Sequence, residues 1–153
     1  MAYNEERNIG RLLDALVSQR PSNADIREII VVAGGCTDRT CEIVEAAAAA
    51  DPRIKLIPEQ CRRGKAPAIN TFLQNACCDI CVLTGGDTLP DSGAIEKLVA
   101  PFGDPAVGMA GAHIVPLNDT STLAGYTVHF LWRVHHEVSL IQPKCGEAIA
   151  FRK

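Results

Sequence analysis

Residues 28–33 read EIIVVA (Glu28-Ile29-Ile30-Val31-Val32-Ala33), and GGCTDRT (Gly34 to Thr40) follows at once. A short run that is almost wholly apolar and mostly β-branched reads as a strand covered on both faces, as in a parallel sheet. The glycine pair turns the chain. Thr37 or Asp38 is then placed to cap a helix whose body runs through Ile43, Val44 and the alanines to Asp51-Pro52.

Working outward, the same unit recurs. Residues 53–58 (RIKLIP) alternate like a strand, residues 64–76 read as a helix, and residues 79–84 (DICVLT) are again a buried type of strand. Upstream, Asn4 followed by Glu5 and Glu6 reads as a helix start, with Ile9, Leu12, Leu13, Leu16 and Val17 at helical spacing before Pro21. Helix and strand thus alternate three times, which implies right-handed crossovers and a mostly parallel sheet with helices on both faces, a three-layer α/β sandwich. Beyond Pro90 a helix is expected over residues 91–102, a strand over 107–116, a long helix over 121–141 and a closing strand over 146–152. Such domains normally open on a strand, whereas this chain opens on a helix, so a first strand is expected in front of Ala2.

The bulk properties bound the function. One domain over residues 1–153 is expected, with 47% hydrophobic and 22% charged residues. Fifteen basic against 18 acidic residues give a net charge of -3, without the positive field that nucleic-acid binding requires. No stretch approaches the roughly 18 apolar residues of a membrane span, and the start MAYNEERN is not a signal peptide, so a cytoplasmic chain is expected. The seven cysteines then read as reduced thiols. Cys77, Cys78 and Cys81 raise a zinc reading, but Cys81 sits inside an apolar run and no second pair stands at finger spacing.

Ligands of open parallel sheets bind at the carboxyl ends of the strands, here residues 33–38, 60–65 and 84–87. Each of these loops is polar or glycine-rich. Ala2-Tyr3-Asn4-Glu5, IIVVAGGCTDRT at residues 29–40, Arg63-Gly64-Lys65-Ala66 with Asn70, and LTGGDT at residues 83–88 arrive in an order and spacing that resemble family 2 glycosyltransferases of the GT-A fold. DPAVG from Asp104, Pro116, Asn118, Trp132-Arg133, His135-His136, Pro143-Lys144 and GEAIAFR extend the resemblance to one branch of that family.

The resemblance implies a nucleotide-diphosphate-sugar donor, a glycan, lipid or small-molecule acceptor, and Mg2+ or Mn2+ as cofactor. It places the nucleotide against Ala2, Tyr3, Glu5, Ala33, Gly34, Lys65, Gly85 and Asp87, the metal at Asp87, and the donor sugar or acceptor near Glu147. The chemistry fits these types: as the nucleotide diphosphate leaves, charge grows on phosphate oxygens, and a cation held by a hard carboxylate oxygen absorbs it. Lys65 supplies a further positive charge. In inverting members the catalytic base lies in an acidic motif beyond the part matched by GEAIAFRK, so the chain is expected to be a fragment without that base.

Departures from the pattern bear on activity. Gly85 stands where the first aspartate of the Asp-x-Asp signature is usual, and Ala33 and Gly34 replace an aspartate pair. A non-catalytic nucleotide-binding module with the same fold is therefore the alternative. A nucleotidyltransferase would carry a glycine-rich basic loop where this chain reads AYNEE. Cys36 reads as a small filler, Asp38 as a helix cap, and His129, His135 and His136 as packing or hydrogen-bonding residues. The long helix collects Leu123, Phe130, Leu131, Val134, Val138 and Ile141 on one side, expected to pack into the core; the other reading is a membrane surface at the inner face.

Overall fold

The computed structural model describes residues 1–141 and 147–153. In chain order the elements are α1 (Ile9–Ser18), β1 (Ile29–Gly34), α2 (Thr40–Ala50), β2 (Ile54–Glu59), α3 (Lys65–Asn75), β3 (Ile80–Thr84), α4 (Ala94–Val99), a 3-10 turn (Ala100–Gly103), β4 (Met109–Gly111), α5 (Leu123–Ile141) and β5 (Ala148–Arg152). Pro143, Lys144 and Gly146, read above as part of the family pattern, lie outside the described residues.

The apolar run forms β1 and is buried as its composition demands. It pairs in parallel with β2, Ile29 opposite Ile54 and Gly34 opposite Glu59. Ile29 and Val31 pack with Ile54 against Ile9, Leu12 and Leu13 of α1 and Val44 of α2, which makes the main core. Ala2 adds an isolated parallel bridge to Ala33 on the other edge of β1.

The second sheet differs from the mostly parallel arrangement read from the sequence. Its order is β3-β5-β4, and both pairings are antiparallel. Burial on both faces gives a strand its composition, but strand direction is set by the connection, and β5 enters after the long excursion through α5. Leu98 and Phe102 cover this sheet at Ala150, with Ile80, Val82 and Ala110 around them. The expected strand over residues 107–116 is reduced to three residues. Beyond Ala112 the chain is apolar but not covered, and Val115 and Leu117 are exposed.

α5 corrects a second expectation. Leu123, Tyr126, Phe130, Leu131, Val138, Leu140 and Ile141 are exposed, and Gly125 is its buried residue, so the apolar side of this helix is not core. Helical periodicity identifies an apolar face without naming what covers it.

Candidate functional site

The carboxyl end of β1 is built by four segments that hydrogen-bond to one another. Ala2 donates its N–H to the Val32 carbonyl at 2.9 Å and accepts the Gly34 N–H at 3.0 Å. Asn4 does not open a helix. It adopts φ 54°, and its Oδ1 accepts the Thr37 N–H at 2.8 Å, so α1 begins only at Ile9. Glu5 donates its N–H to Oγ1 of fully buried Thr40 at 2.8 Å, and Thr40 in turn donates to Asp38 Oδ1 at 2.5 Å. Asp38 also accepts the amides of Thr40 and Glu6, each at 3.0 Å. Asp38 is thus not the N-cap residue expected, since Arg39 holds that position without a side-chain cap bond; from one residue further out its carboxylate ties residues 4–6 to the head of α2. Desolvation pushes its pKa up, but those bonds to its carboxylate together outweigh it and hold the pKa below the ordinary value.

The glycines here serve close approach. Gly35 has φ +66° and donates to the Glu59 carbonyl at 3.0 Å, and a Cβ on it would stand 2.7 Å from the Arg62 nitrogen. At Gly34 a Cβ would stand 3.7 Å from Glu59 Oε2. That oxygen is buried without a hydrogen-bond partner, while Oε1 accepts from Thr71 at 2.9 Å and from Arg63. The Arg63 guanidinium, against a smaller opposing effect of burial, lowers the Glu59 pKa. So the neighbouring strand brings a carboxylate beside the place where residues 33 and 34 lack one. Sequence reading passed over Glu59, although an acid ending β2 opposite Gly34 was the available signal. Tyr3 is partly exposed, with the Arg62 guanidinium 4.2 Å from its ring centroid.

Asp87 is exposed just past β3 and lines a cavity of about 80 Å³ with Asn8, Arg11, Leu12, Thr88, Leu89 and Leu117. A Cβ on Gly85 would lie 2.6 Å from Asp87 Oδ1, so the Asp87 carboxylate fills space a side chain at 85 would take. Gly86 is buried under Glu5, whose Cγ would be 2.8 Å from a Cβ there. Lys65, at the start of α3, places Nζ 3.6 Å from Glu147 Oε2, and both side chains are about half exposed. The Met1 amino group lies among them: burial first and then the Lys65 charge lower its pKa, while Asp87 and Glu5 pull the other way. Residues from 2 to 147 thus meet at one end of the sheets, with Ala33 and Gly34 buried in its floor.

The profile of Glycosyl transferase family 2 matches residues 1–149. This chain belongs to that family. Among curated relatives, glycosyltransferase AglD of Haloferax volcanii is 35% identical over 100 residues, 64% of this chain and 16% of its own. Glycosyltransferase AglE of the same organism is 28% identical over 112 residues, 73% of this chain and 36% of its own. The chain therefore spans well under half the length of these relatives. Among solved structures, the mannosyltransferase PcManGT from Pyrobaculum calidifontis, in complex with GDP-Man and Mn2+, superposes with a TM-score of 0.70 at 29% identity, over 99% of this chain and 42% of that one. Glucosyl-3-phosphoglycerate synthase from Mycobacterium tuberculosis, with Mn2+ and UDP, gives 0.66 at 21% identity, over 99% of this chain and 54% of that one, and speaks for the fold alone.

The ligands this family 2 chain offers a divalent cation can be tested directly. Asp87 is the carboxylate at the β3 end; nearby Glu5 has one carboxylate oxygen engaged by Asn8 Nδ2 at 2.8 Å. One carboxylate suits a cation whose remaining ligands are phosphate oxygens and water. A separate group, Glu28, Cys77 and Cys78, has ligand atoms within 4.8 Å of one another, but the Glu28 oxygens are engaged by Lys55 Nζ at 2.9 Å and the Cys77 amide at 2.7 Å. Cys36 donates a long 3.7 Å contact to the Ala2 carbonyl, a packing role as expected. The histidines also pack or bond: His136 stacks on His113 at 3.9 Å, His135 meets Trp132 edge-on, and His129 lies 3.0 Å from the Asn118 carbonyl. Among the described residues no helix is long and apolar enough to cross a membrane.

Proposed function

We propose that this chain is the nucleotide-sugar-binding part of a family 2 glycosyltransferase that moves a sugar from a nucleotide-diphosphate donor to a glycan, lipid or small-molecule acceptor. The observation that carries the reading is the convergence of Asp87, Lys65 and the glycine loop at residues 34–35 on one end of the sheets. PcManGT, whose structure holds GDP-Man and Mn2+, supports it.

In this reading Ala2, Tyr3, Ala33 and Gly34 meet the nucleoside, and the buried Glu59 oxygen stands in for the carboxylates absent at 33 and 34. Lys65 neutralises the diphosphate and releases Glu147 to orient a hydroxyl of the donor sugar or the acceptor. Asp87 holds Mg2+ or Mn2+ jointly with the diphosphate, Gly85 leaving its carboxylate room, and the ion absorbs charge on the leaving group. The exposed apolar side of α5 supports a site of action at the inner face of a membrane.

Calorimetric titration of GDP and UDP with and without Mn2+ tests the reading. One nucleotide should bind more tightly with Mn2+, by about ten-fold or more, and Asp87→Ala should abolish that gain while leaving metal-free binding intact. Binding indifferent to Mn2+ would favour the non-catalytic module, and no binding of either nucleotide would sink both.

A further inference from the structure

The residue that precedes β1 and the segment that enters β3 meet at the end of the strands remote from the nucleotide loops. β1 has six residues, so Glu28 ahead of it lies about 20 Å from Gly34 at its end. Beside Glu28 the chain leaves α3 at Ala76 and runs through Cys77 and Cys78 toward β3. The Cys77 N–H donates to Glu28 Oε1 at 2.7 Å, and Lys55 Nζ donates to Glu28 Oε2 at 2.9 Å. A carboxylate oxygen of Glu28 and the two thiol sulfurs all lie within 4.8 Å of one another. Cys81, grouped with this pair in the sequence, stands apart: it is buried in β3, and its thiol donates to the Cys78 carbonyl at 3.5 Å.

The chemistry of the group selects its ligand. Two thiolates favour a borderline or soft cation over Mg2+ or Mn2+, and a carboxylate in the third place suits Zn2+ better than Cu+. Three atoms no more than 4.8 Å apart can surround an ion, each moving inward by less than about 1 Å to reach Zn–S near ~2.3 Å and Zn–O near ~2.1 Å. The Glu28 carboxylate is held rather than blocked. Its side chain is 8% exposed, and each oxygen keeps a second lone pair beyond the bond it already accepts. Those bonds fix its orientation, as outer partners do for a metal ligand. Charge closes as well: a divalent ion with two thiolates and one carboxylate leaves one negative charge over, which the Lys55 ammonium cancels.

We propose that Glu28, Cys77 and Cys78 form a zinc site, with water as the fourth ligand, separate from the cation expected at Asp87. The ion replaces the two thiol protons, which pass to solvent as the sulfurs bind. It ties Glu28 to Cys77, 49 positions apart, and so joins the β1-β2 sheet to the segment leading into β3-β5-β4, two sheets that share no ladder among the described residues. Its effect is on stability, because the unfolded chain holds no such arrangement of ligands. None of this rests on the nucleotide reading.

Titration of the chain with Co2+ and Zn2+, its thiols kept reduced, tests the site. One equivalent of Co2+ should produce the thiolate-to-metal charge-transfer bands and the visible bands of a tetrahedral site; Zn2+ should displace it, and excess Mg2+ should not. Zn2+ at about 100 times its Kd should raise Tm by about 5–10 °C. Cys77→Ser should weaken Zn2+ binding by about a hundred-fold or more and Glu28→Gln by about ten-fold or more, whereas Cys61→Ser, at an exposed cysteine outside the group, should leave it unchanged. Cys77 is itself exposed, so Cys77→Ser keeps the fold and remains decisive even if Glu28→Gln does not fold. No Co2+ bands at millimolar metal, bands that survive in Cys77→Ser, or an affinity unmoved in a folded Glu28→Gln chain overturns the proposal. Bands abolished by Cys41→Ser instead would place the ion elsewhere and refute the site equally.

Discussion

Replacing Gly35 by alanine tests the loop on which the site is built. A residue other than glycine at φ +66° costs about 1–2 kcal/mol in left-handed strain. The new methyl would also stand 2.7 Å from the Arg62 nitrogen and 2.8 Å from Cα and the carbonyl carbon of Cys61, all backbone atoms that no rotamer change can withdraw. Moving that backbone aside disturbs the 3.0 Å bond from Gly35 to Glu59 and adds about 1–2 kcal/mol, for a total of ~3 kcal/mol. In a domain of this size that lowers Tm by about 6–12 °C. Urea and thermal melts followed by circular dichroism measure it, with Gly34→Ala as the internal control. At Gly34 φ is not positive and a Cβ meets Glu59 Oε2 at an ordinary 3.7 Å, so that change should stay within about 1 kcal/mol. If the two variants melt together, the loop is more pliant than the contact of Gly35 with residues 61 and 62 allows, and the reasoning fails.

Two further outcomes follow from the electrostatics. Burial pushes the Glu28 carboxyl up, but hydrogen bonds from Lys55 and the Cys77 amide more than offset it and hold the pKa at about 2 against an ordinary 4.5. A depressed carboxyl stabilises the fold above its unfolded pKa, and the contribution fades as pH falls from about 4.5 toward 2. Glu28→Gln should therefore cost about 1–2 kcal/mol at pH 7, allowing for a half-exposed Lys55, and the gap to the parent should narrow in melts below pH 4. The exposed Lys65 and Glu147 should show a coupling below about 1 kcal/mol in a double-mutant cycle of stability. Lys65→Ala should instead weaken nucleotide diphosphate binding in the titration.

The antiparallel pairing of β3 with β5 shows where sequence reading reached its limit. The apolar run at residues 28–33 could be only a buried strand, and the glycines after it only a turn leading into a helix, because each local choice has few physical solutions. The family blocks marked Asp87 and Lys65 as well. Yet Asn4 was misread as a helix start, since its side chain serves Thr37, 33 positions away, and no local pattern encodes that bond. Glu59 went unremarked because an acid ending β2 points to Gly34 only once the parallel register of β1 and β2 is known.

What the sequence determined by itself was the identity of the segments: which runs are strands, which are helices, and which loops are polar enough to meet a ligand. Local sterics and side-chain periodicity settle those within a few residues of chain. The direction of β5, the exposure of the apolar side of α5, and the meeting of Glu59 with Gly34 were decided only by tertiary structure. Each depends on what lies across a gap in space, and burial has no memory of distance along the chain.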